Sequence, residues 1–118
     1  MNNPGPKPYI EQEEEMEFKD EIFQEGLNLT IRRGIKYANL KEGDLIAEGK
    51  YYICRVEYVK VKRFVEITPE ELECHHVGNI EFQKAFQMMH THYHDFQGSE
   101  IVTLVFFKFL RLDREPII

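Results

Sequence analysis

Residues 51–67, YYICRVEYVKVKRFVEI, decide how this chain is read. Cys54, Val56 and Tyr58 are apolar on one parity, whereas Val59, Val61 and Val65 are apolar on the other. Successive side chains of a strand point to opposite faces. The apolar face therefore switches near Tyr58 and Val59. A β-bulge or a strong coil produces such a switch, as in a strand that bends around a small barrel. The stretch predicts one long, bent strand.

Working outward, Leu27 to Arg32 alternates Leu27, Leu29 and Ile31 with Asn28, Thr30 and Arg32. This is a second strand, with the Thr30 hydroxyl and the Arg32 guanidinium on one face. Residues 33–43 read as a loop punctuated by Gly34 and Gly43, with Tyr37 and Leu40 as its anchors. Asp44 to Glu48 forms a strand, and Gly49-Lys50 a tight turn into the long strand. Downstream, Thr68-Pro69-Glu70-Glu71 is a capping box with Pro at the first helical position, opening a short helix over 69–74. Asn79 caps a second helix over 80–94, whose stripe of Phe82, Phe86, Met89 and Tyr93, with Ala85 beside it, is core packing. Ile101 to Leu110 is almost continuously apolar, the pattern of a central buried strand. Met16 to Gly26 carries Phe18, Ile22 and Phe23 at helical offsets and reads as a short helix. These elements predict an α+β domain, a small mixed β-barrel with flanking helices.

The domain spans residues 16–112, with a disordered acidic tail over 1–15 and a C-terminal tail over 113–118. The first 17 residues set Lys7 against five glutamates, a net of −4, leaving −2 for the remainder of a chain whose total is −6. The tail is too polar to bury itself. The remainder is close enough to neutral for a local basic patch to dominate its field. No apolar run is long enough to span a membrane. Cys54 and Cys74 match no zinc or disulfide framework, so reduced thiols in a cytoplasmic protein are expected.

Chemistry-bearing groups gather around the second strand and its loop. Thr30, Arg32, Arg33, Lys36 and Lys41 join a hydroxyl with four cations. Arg forks hydrogen bonds onto a phosphate or a base edge. Lys60 and Lys62 share a parity on the long strand and are placed to track a nucleic-acid backbone. Tyr37 and Tyr58 offer rings on which a base can stack, with core packing the preferred reading of Tyr58. His75 and His76 enter the helical insertion. His90 and His94 stand one turn apart on the expected helix, but without an intervening glutamate of the H-E-x-x-H kind, so cationic imidazoles at a helix end are preferred to a metal site. No metal and no cofactor are expected.

The chain resembles an ASCH (activating signal cointegrator homology) domain, a relative of the PUA domain. The likeness rests on Ile22, on Leu29-Thr30-Ile31-Arg32, on the Gly43-Asp44 turn and on Cys54-Arg55-Val56-Glu57. It extends through Ile67-Thr68 and the closing Phe107-Lys108-Phe109-Leu110. The resemblance implies a PUA-like barrel with a cleft between barrel and helices, and RNA or a modified nucleoside as ligand. It is nearest to small bacterial N4-acetylcytidine amidohydrolases. In these a Thr of the T-I-R segment is the nucleophile, a Lys three residues earlier assists, and a Glu in the helical insertion completes the site. Thr30 and Arg32 match. Leu27 stands where the Lys would be. Asn79 falls nearest the Glu, with Glu81 or Glu73 as stand-ins.

The expectation is therefore a monomeric protein that binds RNA or a nucleoside around Thr30, Arg32, Arg33, Lys36 and Lys41, with His75 and His76 as further ligand contacts. The alternative is an amidohydrolase with Thr30 as nucleophile and Glu81 as its carboxylate. A third reading is a protein-interaction adaptor that uses the acidic tail.

Overall fold

The computed structural model describes residues 13–15, 24–48 and 52–112. The expected helix over 16–26 falls mostly outside these residues, as do the Gly49-Lys50 turn, the C-terminal tail and most of the N-terminal tail. The strands are β1 (Glu13–Glu15), β2 (Leu27–Arg33), β3 (Leu45–Glu48), β4 (Tyr52–Arg63) and β5 (Ile101–Leu112). Between β4 and β5 lie a 3-10 turn (Phe64–Glu66), α1 (Pro69–Leu72) and α2 (Phe82–His92). The sheet order is β1-β3-β4-β5-β2. From β3 to β2 every pairing is antiparallel, and this part curls into a half-barrel. The architecture is α+β. Glu13–Glu15, read from sequence as the end of a tail, instead pair in parallel with β3. Backbone pairing along a sheet edge requires no apolar side chain.

β5 is the central strand: Val102 through Phe107 are all at most 1% exposed. Its even residues, Val102, Leu104 and Phe106, belong to one apolar cluster, and Val105 and Phe107 to another. The sheet is therefore buried on both faces here, as the unbroken apolar run predicts. One face carries Leu29 of β2 together with Phe64, Ile67, Leu72, Ala85, Met89 and Phe96 of the helices and their connections. The other carries Ile46, Cys54 and Val56, with Tyr37 and Leu40 of the 34–44 loop packed against them.

β4 makes the predicted switch of face, one residue earlier than expected. The register slips between Val56, opposite Phe107, and Tyr58, opposite Phe106. Glu57 is the extra residue. Tyr58 therefore shares a parity with Val56 but stacks on Phe106, at 4.4 Å between ring centroids, on the opposite face. After the bulge, Lys60 and Lys62 follow Tyr58 to the helical side, and Val59 and Val61 turn to the loop side.

The α1 capping box forms as read: the Thr68 side chain accepts from the Glu71 N–H at 3.2 Å, and the Thr68 N–H donates to Glu71 Oε1 at 2.9 Å. The second helix is shorter than expected. It starts at Phe82 with Glu81, not Asn79, as its N-cap, and it ends at His92 because Tyr93 is extended. Its buried residues are Ala85 and Met89. The apolar stripe is thus centred one position away from the Phe82–Phe86 line, and Phe82 and Tyr93 are each 36% exposed.

Candidate functional site

Alternation along β2 places Thr30 and Arg32 on the loop face and Ile31 and Arg33 on the helical face. The Arg32 Nε donates to Thr30 Oγ1 at 3.0 Å. Thr30 is only 4% exposed, and among the described residues this is the one hydrogen bond its hydroxyl makes. Arg32 pairs across the sheet with Thr103, and Thr103 with Val61; Thr30 pairs with Val105, and Val105 with Val59. Paired residues of antiparallel strands project to the same side. Thr30 and Arg32 therefore share the loop face of the sheet with Val59 and Val61.

The loop that follows β2 completes this face. Gly34 takes a positive φ of 76°, which lets the chain leave the strand sharply. The Thr103 hydroxyl donates to the Gly34 carbonyl at 2.7 Å and pins the loop's root. At its far end the Gly43 N–H donates to the Val56 carbonyl at 2.9 Å, from a φ of 92°. The fixed loop presents Tyr37. The Arg32 guanidinium lies 5.9 Å from the centroid of that ring and the Lys36 ammonium 5.3 Å. Two cations thus gather on one aromatic ring beside a buried hydroxyl.

Other residues singled out from sequence lie elsewhere. Arg33 is on the opposite face, where Nε donates to Glu100 Oε1 at 2.7 Å and Nη1 to Asp95 Oδ1 at 3.1 Å. Hydrogen bonds to Glu100, then Asp95, push its pKa up. Its guanidinium also lies 5.1 Å from the Tyr93 ring centroid. Arg33 ties the segment after α2 to the end of β2. Lys41 is exposed and pairs locally with Asp44 at 3.8 Å. Lys60 and Lys62 do not present a track for a nucleic-acid backbone; they converge on Glu71 Oε2 at 2.7 Å and 3.0 Å. Burial pushes the Glu71 carboxyl up, but hydrogen bonds from Lys60, the Thr68 amide and Lys62 win and hold it at about 2. That cluster lies on the helical face and is a structural clamp. The capping box announced Glu71, but its two lysines are legible only once the bulge is known.

His75 and His76 are 5% and 8% exposed, and their rings stack at 4.7 Å. Their backbone runs beside β2: the Leu29 N–H donates to the Cys74 carbonyl at 2.6 Å, and the His76 N–H to the Leu29 carbonyl at 3.0 Å. Burial, then the neighbouring His76, pushes His75 down to about 4, so it is neutral at pH 7. Its Nδ1 accepts from the Val77 N–H at 3.3 Å. His90 packs edge-on against Phe86, at 4.6 Å between centroids. His94 lies beyond the end of α2, so the two do not share a helical turn. Burial pushes the Cys54 thiol up to about 12, leaving it inert. Glu73 and Glu81 line a cavity between the helices to which Thr30 does not contribute.

The fold and this face define a small α+β half-barrel with a polar and aromatic site at the end of one strand. No family model matches the sequence, no curated protein is similar to it, and no solved structure matches its fold. Among the described residues no helix is long and apolar enough to cross a membrane.

Proposed function

We propose that the chain is an ASCH-type, PUA-like module that binds RNA or a nucleoside on the Thr30–Arg32–Tyr37 face. The carrying observation is the gathering of Arg32 and Lys36 on the Tyr37 ring, beside the buried Thr30 hydroxyl. An aromatic ring supplies a stacking platform for a base, and flanking cations supply contacts to phosphate. The Thr30 hydroxyl orients Arg32 from a rigid strand, which reduces the ordering cost on binding.

A second reading, hydrolysis of an acyl amide on an N4-acetylcytidine-type nucleoside, rests on Thr30 as a buried hydroxyl on the same face. A Thr hydroxyl becomes a nucleophile only when a base takes its proton. Its described partner, Arg32, is a donor and cannot take one. Binding is therefore the preferred reading.

The test is fluorescence titration of the full chain with labelled decauridylate and decacytidylate at several salt concentrations. Saturable binding that weakens with salt is expected, with at least a tenfold loss in Arg32→Ala and Tyr37→Ala and little change in Arg33→Lys. Equal affinity in all three variants would remove this face from the reading. In parallel, turnover of N4-acetylcytidine that disappears in Thr30→Ala would put hydrolysis first.

A further inference from the structure

A half-open cavity of about 300 Å³ lies among α1, the residue pair before it and the chain that leads into α2, with both apolar and acidic walls. Ile67, Leu72, Ile80 and Phe82 supply apolar surface. Ile67 and Leu72 are buried in the core, whereas Phe82 remains 36% exposed and so keeps aromatic surface available at the rim. Glu73, the C-cap of α1, and Glu81, the N-cap of α2, line the same cavity. Both are exposed, and neither carboxylate makes a hydrogen bond or an ion pair with any described residue. The nearby Glu71 and Glu66, by contrast, are each held by a cation, from Lys60 and Lys62 and from Arg63 respectively.

We propose that this cavity binds a small organic cation, with an aromatic or branched aliphatic body seated on Ile67, Leu72, Ile80 and Phe82 and its ammonium group facing Glu73 and Glu81. The volume lies at the small end of ligand sites and suits a body of one ring. Apolar walls take the body out of water. The two carboxylates supply charge-assisted hydrogen bonds to the ammonium. The Phe82 ring adds cation–π attraction. The same charges repel phosphate, so this cavity is separate from the RNA-binding face and the assignment does not depend on that reading. A free amine is the occupant assigned, because the cavity is small and two carboxylates at adjoining helix ends line it.

The probe is 2-phenylethylamine, titrated into the full chain and followed by amide chemical shifts, with 3-phenylpropionate and 2-phenylethanol as anionic and neutral controls on the same body. Saturable shifts at Glu73, Ile80, Glu81 and Phe82 are expected. The acid and the alcohol should bind at least tenfold more weakly than the amine. The double variant Glu73→Gln with Glu81→Gln should weaken the amine at least tenfold while leaving amide shifts outside the cavity unchanged, which shows that it folds. Equal binding of the three compounds, shifts centred elsewhere, or full affinity in the double variant would each overturn the proposal. Tenfold tighter binding of acetyl-Phe-Arg-amide than of the amine would overturn the free-amine assignment.

Discussion

The two faces of the half-barrel use their polar residues in opposite ways. On the helical face the ion pairs are closed: Glu71 holds Lys60 and Lys62, and Arg33 holds Glu100 and Asp95. Each ties one element to another and leaves little valence for a ligand. On the loop face Thr30 and Arg32 bond to each other within one strand, and Arg32 and Lys36 lie on a ring that a rigid loop presents. The first kind joins elements that are distant in sequence; the second stays within β2 and the loop that follows it. The same residue types, arginine and lysine beside aromatic rings, occur on both faces. What separates them is the contact each is given: carboxylates of distant elements on the helical face, a hydroxyl and an aromatic ring on the loop face.

The sharpest way to break this division is to remove the aromatic centre of the helical face. Phe64 is fully buried and meets Phe82, Phe86 and Phe96 at 5.1, 5.7 and 5.2 Å. Phe64→Ala is expected to cost about 3–5 kcal/mol in urea unfolding, because the cavity left under two elements cannot collapse. A loss below about 1 kcal/mol would mean the aromatic cluster does not hold the helices to the sheet.

The next effect is one of pH. His75 titrates at about 4 in the fold, below its ordinary 6.5. Above pH 6.5 both states are neutral and this group adds no pH dependence. Between about 6.5 and 4 the unfolded chain takes up a proton that the folded chain refuses, so stability falls as pH falls, by about 3 kcal/mol in all. Protonation would also turn the Nδ1 acceptor into a donor against the Val77 N–H. The midpoint of His75 by imidazole NMR checks this directly; titration near 6.5 would show that the ring is not sealed beside β2.

Glu71→Ala sharpens the contrast between faces. It removes the carboxylate half of the capping box and leaves two ammonium groups together, and a loss of about 2 kcal/mol is expected, moderated by the exposure of Lys60. Lowering the pH acts on the same clamp: the depressed pKa of Glu71 makes its contribution full above 4.5 and lost as pH falls through about 2. The smallest change belongs to the loop face. Thr30→Val keeps the strand and the volume and loses only the hydrogen bond to Arg32, so stability should fall by no more than about 1 kcal/mol while the RNA affinity proposed for this face drops. A larger loss of stability would place Thr30 among the structural groups.

The elements carried by local chemistry were legible. Alternation found β2, an unbroken apolar run found β5, and Thr68 with Glu71 announced α1, because periodicity and capping act within a few residues. The parity change in β4 even disclosed the bulge. The end of α2 was misread because its histidines are neutral as to helix or loop, and extended Tyr93 closes it while packing near Arg33. The tail reading failed at Glu13–Glu15, where a sheet edge took in a strand with no apolar pattern.

The candidate site divides along the same line. That Thr30 and Arg32 share a face follows from the period of a strand and needs no structure. That Arg33 is engaged by Glu100, 67 residues away, and that the lysines of β4 meet Glu71, are facts of tertiary contact. Local sequence dictates the direction of a side chain, since backbone geometry is local. Whether its charge is spent is decided only when distant segments pack, since Coulomb partners and burial are properties of space and not of sequence distance.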